Sequence, residues 1–189
     1  MTDKGGDGTI ELRYDPSQPR SADGKFAAKL NAQGENSFRT NVFRSTDDPL
    51  EDALGSATES NPDDILKFKE ELKNSGVELI ERKSETLAYA PGLRKGEPGT
   101  VYVSEGASIG AWMHEMQHFR DDKKAGWLGM TVLADLDLRY EWEKNAYALE
   151  IELAKKIKRP DIAEKLEKNL KKERDFIYGD VDSRRPKDD

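Results

Sequence analysis

The chain has no cysteine, and only two of its 189 residues are histidine. The first absence excludes a disulfide framework, a thiolate metal site and a cysteine nucleophile. The second leaves imidazole chemistry just two side chains to draw on. Long apolar runs are also missing. No stretch approaches the roughly 20 residues of a membrane-spanning helix, and no charged-then-apolar signal segment opens the chain. These features predict a soluble protein made in a reducing cytoplasm, and they are compatible with later delivery, secretion or association with a virion. There is no basic excess either. The 31 Lys and Arg are outnumbered by 38 Asp and Glu, giving a net charge of −7 with no concentrated basic stripe. That argues against a nucleic-acid binder and favours protein or peptide partners. With 35% apolar and 37% charged residues, the chain can bury one modest core rather than two.

What is present is concentrated. Both histidines fall in the string His114, Glu115, Met116, Gln117, His118. On a helix, a spacing of four turns the second imidazole about 400° from the first, so the two project side by side one turn apart and can grip one metal ion. Glu115 sits at the edge of that face. Its carboxylate can reach a metal-activated water without being forced to ligate, which is the position of a general base. Such strings also arise on amphipathic helices without a metal. Across residues 107–124, however, Ile109, Trp112, Met116 and Phe119 mark one apolar stripe, and the histidines fall roughly opposite it. The wheel therefore predicts that they are not core residues.

A catalytic zinc takes three protein ligands and keeps a fourth position for water. With no histidine or cysteine left, the third ligand must be a carboxylate. Residues 135–158 read as a helix whose inward stripe contains Leu136, Ala146, Tyr147, Leu149, Ile151, Leu153, Ala154 and Ile157. Glu143 lies within that stripe, where a carboxylate is costly unless paired or metal-bound. Glu150, seven residues on, is a second candidate, whereas Glu141 points to solvent.

The run TVYVSEGASIGAWMHEMQHFRDD, followed by RYEWEKNAYALEIELAKK, resembles the zincin-type metallopeptidase domains of bacterial polymorphic toxins and some phage-encoded proteins. Those domains resemble small gluzincins, with a histidine pair on one helix and a glutamate on the next. Their second helix often carries a Glu-x-Asn-Ala-Tyr string, matched here from Glu143 to Tyr147. The resemblance covers residues 77–157 and implies zinc bound by His114, His118 and Glu143, with Glu143 chosen over Glu150. Neither the glycine and third histidine of metzincins nor the Asn-Glu-x-x-x-Asp pattern of larger gluzincins is found.

Further positions have candidate roles. Tyr147 lies one turn after Glu143, where its phenol could donate to a developing oxyanion or simply pack in the core. Asp121 and Asp122 are alternative partners for an imidazole N–H, as metal-bound histidines usually require. Residues 77–82, 86–90 and 99–104 are β-prone. In zincin-like folds, a strand like the third borders the cleft and pairs with an extended substrate chain.

Residues 1–60 are poor in large apolar groups and predict a mobile or thinly packed extension. Within them, residues 17–26 weakly resemble an element near the ends of phage head proteins, and they read equally as a turn-rich linker. A helix follows, with Asn61 as cap, Pro62 in its first turn, Ile65, Phe68 and Leu72 buried, and Ser75 and Gly76 as its stop. After Pro160, the pattern of Ile162, Leu166, Leu170 and Ile177 predicts a last helix, exposed on one side, that could hold an immunity protein or a phage structural partner. Residues 179–189 read as a disordered tail.

The expectation is thus one α+β, zincin-like domain over residues 61–178, with about three strands, an active-site helix, a Glu-bearing helix and a C-terminal helix. Its expected activity is zinc-dependent peptide hydrolysis with Glu115 as base, in a toxin effector or phage-encoded protease. The alternatives are a non-catalytic binding or assembly module on the same scaffold and a hydrolase of something other than peptides.

Overall fold

A computed structural model describes residues 43–45, 47–83 and 87–182. The extension up to residue 42, with the 17–26 string, and the last seven residues of the expected tail lie outside the described residues. The elements run β1 (Phe43–Ser45), α1 (Glu51–Leu54), α2 (Ala57–Ser60), α3 (Pro62–Asn74), β2 (Glu78–Arg82), β3 (Leu87–Ala90) and β4 (Thr100–Ser104). Then come α4 (Ile109–Lys124), a 3-10 turn (Gly129–Ala134), α5 (Leu136–Lys156) and α6 (Pro160–Asp182). The class is α+β. The three expected strands are β2, β3 and β4, and the short β1 adds a fourth.

Strand order is β1-β3-β4-β2, with β4 parallel to β2 and antiparallel to β3, and β1 antiparallel to β3. Side chains alternate across the sheet as the pleat requires. Leu87, Tyr89, Val101 and Val103 join Trp112, Met116 and Phe119 of α4 in the main core. Ala88, Ala90 and Tyr102 point to the opposite face. There the Arg82 guanidinium lies 4.7 Å from the centre of the Tyr102 ring.

This order corrects one expectation. The strand that leads into the active-site helix has no free edge at which an extended substrate chain could pair. β3 occupies one of its edges and β2 the other, so both of its ladders are used within the sheet. Hydrophobic alternation reports which face a strand buries and is blind to which neighbours it pairs with.

Beyond the sheet, α4 packs against β3 and β4, α5 against α4, and α6 against α5. Because α5 lies between two helices, its burial exceeds one stripe. Trp142, Glu143, Ala146, Tyr147, Glu150 and Ala154 are buried, while Leu136, Leu149 and Ile151 are only half-covered. α3 begins at Pro62 and ends at a glycine with φ 69°, as its sequence signals suggest. Asn61 does not cap it with its side chain. The Asn61 Oδ1 instead accepts from the Ser60 hydroxyl at 2.9 Å. α6 extends beyond the expected end to Asp182.

The packed body also starts earlier than residue 61. Asp48 accepts hydrogen bonds from the Ser108 backbone N–H (2.7 Å) and hydroxyl (2.8 Å), clasping the residue that caps α4. Asp47 accepts from Lys165 and Asn169 of α6. Leu50 is fully buried among Tyr147, Ala154, Ile162 and Leu166. A Cβ added at Gly110 would come within 2.2 Å of the Leu50 Cδ1, so this first turn of α4 accommodates Leu50 by having no side chain. Leu50→Ala should therefore destabilise the protein by about 2–5 kcal/mol in urea unfolding, the cost of a buried leucine cavity. A loss under about 0.5 kcal/mol would show that the segment rests on the surface.

Candidate metal centre

α4 carries both histidines in a well-defined frame. The Ser108 hydroxyl accepts from the Ala111 N–H at its start, and Lys123 and Lys124 complement its C-terminal dipole. α5 opens with Asp135 capping Leu138. The two helices are tied by Asn145, whose amide donates to Asp121 at 3.1 Å. This crossing sets Glu143 opposite the imidazoles.

Three ligand atoms converge there. His114 Nε2 and His118 Nε2 are 3.1 Å apart, and Glu143 Oε2 is 3.6 Å from each. The buried group His114, His118 and Glu143 could hold a metal ion, and it is the one such group found among the described residues. The histidines lie off the apolar stripe of α4, as the wheel indicates, yet they are 6% and 1% exposed. The side of α4 opposite the stripe is not a solvent face, because α5 covers it.

Glu150 is not a fourth ligand in this arrangement. Its Oε2 accepts from His114 Nδ1 at 2.6 Å, turning His114 Nε2 toward His118 and Glu143. That is the carboxylate-to-imidazole contact that orients a metal ligand and raises its basicity. Of the two aspartates proposed for this role, Asp121 accepts from Gln117 and Asn145, while Asp122 accepts from the Tyr89 hydroxyl and the Leu128 N–H. The usable signal was in the sequence. Seven residues beyond Glu143 is the same face of the same helix two turns on, a second acid directed into a buried layer. Glu150→Ala should weaken metal binding about 10–100-fold, measured by competition with a chromophoric chelator. Unchanged affinity would remove Glu150 from the site.

Charge in the layer follows from burial and proximity. Burial opposes a proton on His114, but Glu150, Glu143 and Glu115 outweigh it and hold its pKa well above that of an ordinary histidine. Burial drives His118 down to about 3. His114 Nδ1 lies 2.6 Å from Glu150 Oε2, and its Nε2 lies 3.1 Å from His118 Nε2. Burial works to raise Glu143, yet the neighbouring histidines and Arg139 bring it below the usual carboxylate value.

Glu115 is buried and accepts the backbone N–H of Tyr89 from β3. Its Oε2 has no hydrogen-bond partner. Burial lifts this carboxyl to about 8, with His114 opposing and Glu143 and Glu150 reinforcing the shift. An unpaired buried carboxyl oxygen costs about 1–3 kcal/mol, so it calls for a functional explanation. The Tyr147 ring stands edge-on to His114, with centroids 4.9 Å apart and planes at 87°. Burial keeps its phenol protonated, with a pKa raised above the usual value.

Two residues beyond the expected set complete the surroundings. Arg139, one turn before Glu143, extends its charge over Glu143 and His118 and contacts Glu173 of α6 at 3.5 Å. Burial and the nearby Glu143 raise Glu173 to about 7. No protein-family model, curated protein or solved structure matches the chain.

Proposed function

We propose that the chain is a zinc-dependent metallopeptidase of the zincin type, a toxin effector or a phage-encoded protease. The observation that carries this reading is the convergence of His114, His118 and Glu143 beside an acid, Glu115, with an unpaired buried oxygen. Tetrahedral zinc, with bonds of about 2.0–2.2 Å to nitrogen and oxygen, needs ligand atoms roughly 3.3–3.5 Å apart. The separations of 3.1, 3.6 and 3.6 Å bracket that value. The donor set of two imidazoles and one carboxylate suits zinc and leaves a fourth position.

Zinc held there would activate a water molecule and polarise the scissile carbonyl. With the charge of a bound cation opposing the burial that lifts Glu115 to about 8, its carboxylate would accept the proton of the attacking water and return it to the leaving amine. Tyr147 donates its phenolic hydrogen to the developing oxyanion. Glu150 holds His114 in the tautomer that presents Nε2. Protein or peptide is the proposed substrate class, following the resemblance of residues 77–157 to zincin-type metallopeptidases.

The second reading, a non-catalytic binding or assembly module, accounts for the ligand group but not for Glu115. A purely structural metal site gains nothing from a buried acid with an unsatisfied oxygen. No helix among the described residues is long and apolar enough to cross a membrane. The direct test is incubation of zinc-loaded protein and its Glu115→Gln variant with a whole-cell lysate, followed by mapping of new protein termini. Termini produced only by the unmodified chain support the peptidase. Identical maps from both chains sink it.

A further inference from the structure

The strand nearest the base is β3, and its outer edge is taken. Tyr89 is in register with Val101 of β4 on one side and with Phe43 of β1 on the other. The same residue gives its backbone N–H to Glu115. β1 therefore runs antiparallel along the stretch of main chain that touches the proposed base, with Arg44 opposite Ala88 and Ser45 opposite Leu87. The other edge of the sheet, β2, is on the far side of β4.

A three-residue edge strand is weakly held by its own hydrogen bonds. Its neighbour in the chain compensates. Three residues after Ser45, Asp48 is clamped to the Ser108 cap of α4, and Leu50 is sunk against Gly110. This fixed point delivers β1 to the β3 edge at high effective concentration, in the millimolar range for a short tether. Pairing of this kind uses main-chain groups and reads little sequence, so a foreign extended peptide would compete for the same edge.

Resting on the peptidase reading, we infer that the β3 edge is the docking edge for an extended peptide substrate, and that residues 43–45 occupy it as an internal strand which a substrate must displace. The segment is thus a built-in competitor, placed beside Glu115 by the Asp48 and Leu50 anchor.

The test uses the full chain carrying Glu115→Gln, so that nothing is cut, with and without the triple substitution Phe43→Pro, Arg44→Pro and Ser45→Pro. Proline removes the amide donors of β1 and leaves the body from Asp47 onward intact, which thermal unfolding checks. A fluorescent peptide spanning residues 41–46 is titrated into both zinc-loaded chains. The proline chain should bind it at least about tenfold more tightly, because its internal competitor is gone. The backbone amides of β3 that point toward β1 should exchange faster with solvent in the proline chain and regain protection when peptide is added. Equal affinity for both chains, or unchanged exchange at those amides, overturns the inference. Peptide binding needs no turnover, so the two proposals fail separately. A gain in binding by the proline chain, with no hydrolysis by the unmodified protein, sinks the peptidase and leaves the docking edge standing. Equal binding alongside robust hydrolysis does the reverse.

Discussion

Glu115→Gln should bind zinc with the affinity of the unmodified chain and hydrolyse peptides at least about 10²–10⁴-fold more slowly, the usual worth of a positioned general base. The substitution is nearly isosteric, and the Glu115 carboxylate is not among the converging ligand atoms. It should leave α4 undisturbed, because the Tyr89 N–H still finds an acceptor oxygen in the amide. The informative comparison is metal content against kcat on the same preparation. Loss of both together would mean that Glu115 supports the site structurally, and full activity with contaminating protease excluded would mean that the base has been misassigned.

The second large effect concerns Glu143. In the unmodified protein, zinc at 100 times its dissociation constant should stabilise the fold by about 2.7 kcal/mol, since the ligand group is assembled only in the native state. For a domain of this size that corresponds to a rise in Tm of about 5–10 °C. Glu143→Ala removes one of three ligands, and the zinc-dependent rise should vanish while far-ultraviolet circular dichroism stays unchanged. His114→Ala should abolish it too. An equal rise in Glu143→Ala would place the ion elsewhere, and no rise in the unmodified chain would leave the three side chains as an ionic cluster without a metal.

Much of this arrangement was legible in the sequence, for reasons that differ by residue. His114, Glu115 and His118 lie on one turn of one helix, so helical geometry alone brings them together. Glu143 required a second helix and a crossing, and it was found because an acid inside an apolar stripe is costly in isolation. The start and stop of α3 followed from Pro62 and from Ser75 with Gly76, and the start of α6 from Pro160, whereas the far end of α6 lies beyond where its apolar pattern fades. Interactions between elements distant in the chain were not legible. The pairing of His114 with Glu150 depends on how α5 rotates against α4, and the wheel of α5 could treat Glu150 only as a rival ligand. The order of strands, which puts β4 inside the sheet, leaves no mark on alternation. Residues 47–54 looked too polar to pack, because a single leucine and two aspartates perform the anchoring.

The imidazole nitrogens and the Glu143 oxygen already converge on two packed helices, and this bears on how an ion would be taken up. The ion would enter a cage already shaped, and neither helix would have to travel. Acid would act as its rival, because the imidazole nitrogens that would grip it are the same ones that take up protons.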